Sequence, residues 1–122
     1  MPGEHREIVD GTLSVRVLRD GDDWAISLRG ELDLANVQSV ERELHEALRD
    51  ERGGVVLVDM RELEFIDSTG ISLLFTAIER DGVARRLRFI ASESPAVVRV
   101  LELTGVTRRM LLAQGDHDAT AG

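Results

Sequence analysis

Four small polar residues break an apolar run between Glu64 and Leu74, EFIDSTGISLL. Asp67, Ser68, Thr69 and Gly70 set one carboxylate beside two hydroxyls. A serine hydroxyl either attacks or is itself modified. Attack needs a base, and no Gly-x-Ser-x-Gly elbow surrounds any serine of the chain. Asp67 is not that base, because adjacent residues at a helix start do not aim at each other. Asp33, Asp59 and Asp67 would act as paired carboxylates only by converging at strand ends, which their spacing does not establish.

The bland use of this stretch is capping. Asp67 or Ser68 would accept a bond from a free backbone N–H of a helix that starts near Thr69. The same geometry exposes Ser68 at the helix mouth. A phosphate there would carry about −1.5 to −2 charges at the positive end of the helix dipole. Asp67 beside it would oppose that charge. Such a modification would expel a partner docked at this corner by repulsion and bulk, without refolding the domain.

Composition removes most other chemistry. All basic residues are Arg, and Lys, Cys and Tyr are absent. Nucleophilic Lys or Cys, thiolate metal sites and disulfides are therefore excluded. A Walker A loop cannot be completed without Lys, and no Gly-x-Gly-x-x-Gly run occurs, so ATP is not expected to bind here. His5, His45 and His117 are scattered and lack metal-ligand spacing, so no metal is expected. The net charge of −8 argues against nucleic acid or anionic membrane as partners. The opening MPGEHREIVD has no apolar h-region, and no apolar run approaches a membrane span. The expectation is a cytoplasmic protein without cofactor.

The elements around the motif follow from periodicity. Residues 1–11 read as a polar lead and 114–122 as a flexible tail around one domain at 12–113. Alternation at Leu13, Val15 and Val17, then at Trp24, Ile26 and Leu28, predicts a hairpin of strands 12–18 and 24–30. Val37, Val40, Leu44, Ala47 and Leu48 fall at helical spacing, with Asn36 as N-cap and Glu43 on the solvated face. VVLVDM, 55–60, suits a central strand buried on both sides. Ile71, Leu74, Phe75 and Ile78 share a helix face that ends at Gly82. LRFIA, 87–91, predicts a strand. Ser94-Pro95 opens a helix that Gly105 ends, and Met110–Ala113 adds a last strand or helical turn. The predicted order is β-β-α-β-α-β-α: an α/β fold with a small mixed sheet of about four to five strands and packed helices.

Three segments carry a resemblance. GELDLANV (30–37), VVLVDMRELEFIDSTGISLL (55–74) and SPAVVRVLELTGV (94–106) resemble the bacterial anti-sigma factor antagonists, which are STAS domains. The resemblance covers about residues 12–113. It implies a STAS-like single domain that is not itself an enzyme. It implies that Ser68 is phosphorylated by an anti-sigma factor serine kinase, which binds the ATP. The unphosphorylated chain would bind that kinase and free its sigma factor. Phosphorylation would end the binding, and a phosphoserine phosphatase would restore it. By position in the motifs, Glu31, Asp33, Asp67, Thr69, Gly70, Ile71, Ser72 and Phe75 would face the partner. The chain itself would be a monomer or weak dimer.

One departure stands out. Many family members read Gly-hydrophobic-Gly after the phosphoacceptor, and here the run is Gly70-Ile71-Ser72. A second hydroxyl thus enters the site, altering kinase affinity or offering a minor second acceptor. Two other readings stay open. One is a STAS scaffold in a larger signalling assembly or a regulator of a membrane transporter. The other is an enzyme using Asp67 or Ser68 directly.

Overall fold

The structure is a computed structural model that describes residues 5–121, with side chains described from His5 to Ala113. The described residues form a five-stranded sheet and four α-helices. In chain order these are β1 (His5–Asp10), β2 (Leu13–Asp20), β3 (Asp23–Leu32), α1 (Val37–Arg49), β4 (Val56–Ile66), α2 (Ser68–Asp81), β5 (Leu87–Ile90), α3 (Pro95–Leu103) and α4 (Val106–Ala121). A short 3-10 turn, Gly82–Ala84, follows α2. The sheet order is β1-β2-β3-β4-β5. The first three strands pair antiparallel, and β4 runs parallel to both β3 and β5.

The expected hairpin and the strand–helix alternation are present. Residues 5–10, expected as part of a polar lead, instead form edge strand β1 on β2. Its sequence, HREIVD, lacks apolar alternation; backbone pairing, ion pairs from Arg6, bonds to Glu7 and Asp10, and the packing of Ile8 hold it. Arg6 of β1 donates to Glu43 of α1, and Glu43 is buried rather than on the solvated helix face. The last piece is a helix, α4, which runs on through most of the segment expected as a tail. Residues 1–4 of the expected lead lie outside the described residues, as does Gly122 at the end of that tail.

The core lies on one face of the sheet. Val15, Ile26, Val56, Val58, Met60 and Leu87 point into it and are each 0% exposed. Their neighbours Ser14, Arg16, Ala25, Ser27, Leu57 and Asp59 are half-buried or exposed on the other face. The expectation of a strand at 55–60 buried on both sides is therefore corrected. Strand β4 is interior in the sheet order, yet only its alternate residues are enclosed.

Two register shifts between β3 and β4 matter for the site. They fall at Ser27/Arg29 and Gly30/Glu31. Beyond Met60 the buried residues of β4 are Leu63 and Ile66, spaced by three rather than two. A bulge re-aims a strand in this way. It carries β4 through RELEFI, beyond the expected end at residue 60, and delivers Ile66 beside Leu32. The helix that crosses over is anchored at its far end. Arg86 donates to the carbonyls of Ala47 and Leu48 in the last turn of α1 and to that of Gly54 beyond it.

Candidate functional site

Strands β3 and β4 end side by side, with Leu32 opposite Ile66. The Asp67 N–H donates to the Leu32 carbonyl at 3.1 Å. The chain then turns into α2, with Asp67 as an extended N-cap and Ser68 as the first helical residue. Both carboxylate oxygens of Asp67 are engaged. Oδ1 accepts from the N–H of Thr69 at 2.9 Å, the N–H of Gly70 at 3.2 Å, and the Thr69 hydroxyl. Oδ2 accepts from the N–H of Leu34 at 3.1 Å. Asp67 thus caps α2 and ties the β3–α1 loop to it.

That loop is braced by Asn36, which is 2% exposed. Its Oδ1 accepts from the Asp33 N–H, and its Nδ2 donates to the Glu31 carbonyl, each at 2.9 Å. Asn36 makes no side-chain cap bond to α1, contrary to expectation. The loop carbonyl of Asp33 instead receives the N–H groups of Asn36 and Val37. The Asp33 carboxylate turns inward to the Ala35 N–H. Gly70 explains itself by space. A Cβ there would lie 2.6 Å from Ile66 Cγ1 and 3.0 Å from Leu32 Cδ2, so the helix seats directly on the two strand ends.

The remaining motif residues then separate. Ser68 and Ser72 are exposed on the outer face of α2. Ile71 and Phe75 are half-buried, and the Arg109 guanidinium of α4 lies 5.9 Å from the Phe75 ring centre. Phe75 therefore packs back into the domain more than it faces outward. Glu31 is exposed and sits opposite Phe65 in the sheet. Two residues absent from the sequence reading belong to this neighbourhood: Leu34, 73% exposed, and Phe65, 47% exposed. Both are apolar residues in apolar stretches, which gives no sign of their exposure. Only the loop and the bulge turn them outward.

Burial pushes the Asp67 carboxyl up, but the Thr69 hydroxyl and the N–H groups of Gly70, Leu34 and Thr69 together outweigh it. The net result is a value below the usual one of 3.8. A carboxyl lowered by folding stabilises the fold above its unfolded value and loses that contribution as pH falls through the folded value. Asp67→Ala is expected to cost about 1–3 kcal/mol near neutral pH, from the lost cap and the orphaned N–H groups. In urea unfolding the gap between wild type and variant should narrow as pH drops below about 4. A gap that stays constant down to acid would show that the charge contributes nothing.

The described residues contain no cluster of three or more groups suited to a metal ion, and no helix long and apolar enough to cross a membrane. A family profile for the STAS domain matches residues 14–119. The chain belongs to the STAS domain family. This STAS chain is 28% identical over 97 residues to the anti-sigma-F factor antagonist RsfB of Mycobacterium tuberculosis, covering 80% of this chain and 78% of that protein. Its fold is similar to an anti-sigma factor antagonist from Mycobacterium paratuberculosis, with TM-score 0.70, 22% identity, and coverage of 79% and 80%. It is also similar to the anti-sigma factor antagonist SpoIIAA. The unphosphorylated form gives TM-score 0.60 and 19% identity, covering 84% of this chain and 82% of that one. The phosphorylated form, from Bacillus, gives TM-score 0.55 and 18% identity, covering 88% of each chain.

Proposed function

We propose that the chain is an anti-sigma factor antagonist switched by phosphorylation of Ser68. The observation that carries this reading is the sorting of hydroxyls at the corner. The Thr69 hydroxyl is spent on Asp67, whereas Ser68 is exposed on a braced helix start. The corner presents a hydroxyl and supplies no base for it, which suits a residue acted upon by another protein. The likeness to RsfB and to SpoIIAA, a protein solved both with and without phosphate, supports the same reading.

In this scheme an anti-sigma factor serine kinase binds ATP and docks on the corner around Ser68. Its base takes the Ser68 hydroxyl proton, the γ-phosphoryl group passes to Ser68 Oγ, and ADP leaves. The unmodified chain holds the kinase and frees the sigma factor. The phosphate adds charge next to Asp67 and ends the contact. A phosphoserine phosphatase hydrolyses the ester and restores the binding form. The setting is the cytoplasm, and the chain carries no cofactor of its own.

The test is a pull-down of the kinase from cell extract, followed by incubation with ATP and intact-mass measurement. One added phosphate is expected on the wild type and none on Ser68→Ala. Phosphate retained by Ser68→Ala would place the acceptor elsewhere and sink the assignment.

A further inference from the structure

We propose that Ser72 is the hydroxyl that holds a phosphate on Ser68, so that the second serine of the helix anchors the modified state. This rests on Ser68 being the acceptor. A phosphate at a helix start ordinarily takes the free N–H groups of the first turn. Here Asp67 leaves only the N–H of Ser68 itself without an acceptor in that turn. Asp67 occupies the N–H groups of Thr69 and Gly70 and the hydroxyl of Thr69 with one oxygen, and the N–H of Leu34 with the other.

Cations do not fill the gap on this helix. Between Ser68 and Ile78 the sequence of α2 contains no basic residue, and Arg80 lies in its last turn. The charged groups at the cap are acids: Asp67, and Asp33 and Glu31 from the β3 end and its loop; the cation on the packed helix α4, Arg109, lies against Phe75, three residues beyond Ser72. A phosphate at Ser68 therefore has one backbone donor in reach and gains from a second, neutral one. Ser72 supplies one. It is four residues on, so it shares the helix face with Ser68, with Cβ atoms about 5–6 Å apart. Side chains of a helix tilt toward its N-terminus, which inclines Ser72 toward Ser68. Ser72 is exposed, and no described residue holds its hydroxyl. A phosphate ester on Ser68 extends far enough to close the remaining distance and accept the Ser72 O–H.

A donor of this kind favours the doubly charged phosphate over the singly charged one. The reader is a phosphorus NMR titration of the full chain with phosphoserine installed at position 68 during translation. Installing it this way makes the result independent of any kinase. Ser72→Ala should raise the second phosphate pKa by about half a unit, because the donor is lost while Asp67 remains. Ser72→Thr keeps a hydroxyl and should titrate close to wild type. Ser72 is exposed and the change is small in each case, so both variants should keep the wild-type circular dichroism. An unchanged pKa in Ser72→Ala would overturn the proposal, as would a Ser72→Thr shift as large as that of Ser72→Ala. Failure of a kinase to label Ser68 would instead count against the function and leave this titration readable.

Discussion

Gly30→Ala should strongly destabilise the chain at the strand crossing behind the site. A Cβ at Gly30 would lie 2.1 Å from the Thr12 carbonyl oxygen and 3.2 Å from its carbon. Both are backbone atoms of the turn entering β2, so no side chain can swing away. The φ of 100° adds conformational cost for any L side chain. Strain of this kind costs about 1–3 kcal/mol by itself. With the clash added, the expected loss is about 3 kcal/mol or more, from a total near 5–15 kcal/mol for a typical domain. The effect reaches the site. Gly30 adjoins the register shift that lets Leu32 meet Ile66, and Asp67 follows Ile66 directly. Urea unfolding measures it. Stability within about 1 kcal/mol of wild type would show that β2 yields easily at this crossing.

Ser68→Glu should act on binding and leave the fold intact. Ser68 is exposed, and its position is fixed by Asp67 rather than by its own side chain. A glutamate brings negative charge to a surface that already presents Asp67, Asp33 and Glu31. A charge covered by a partner without a counter-charge costs several kcal/mol, and each 1.4 kcal/mol is about tenfold in affinity. The kinase affinity should fall by about a hundredfold or more. Ser68→Ala removes the acceptor without adding charge, so it should bind as the unmodified chain does and stay bound when ATP is added. Equal affinity of Ser68→Glu and wild type, by calorimetry, would mean that charge at this corner does not govern docking.

The sequence marked the exposed hydroxyl of Ser68 but not the reasons for its surroundings. Alternation at Leu13–Val17 and Trp24–Leu28 marked the hairpin, because a one-sided sheet imposes a period of two. Helical spacing in α1 and α2 marked the crossovers for the same reason at 3.6. Strand β1 escaped, since an edge strand held by backbone bonds and by Arg6–Glu43 needs little apolar pattern. Glu43 itself read as solvated, because burial of a charge depends on a partner from a distant segment. The β4 extension through RELEFI escaped because bulges break the period that identifies strands.

At the site, the cap by Asp67 was legible from its place before a helix. Its second bond, to Leu34, was not, since only the fold brings β3 and β4 ends together. The same holds for Asn36, which resembles a cap in sequence and works as a loop brace in space. The motif therefore divides by task. Gly30, Asn36, Asp67 and Gly70 build the corner, and Ser68 and Ser72 are what it shows to the outside.

The decisive comparison is the affinity of the kinase partner for two forms of this chain, measured by calorimetry under identical salt. One form carries serine at position 68, and the other carries phosphoserine at the same position. The switch requires tight binding of the first and at least about a hundredfold weaker binding of the second. Equal affinity of the two forms would contradict it.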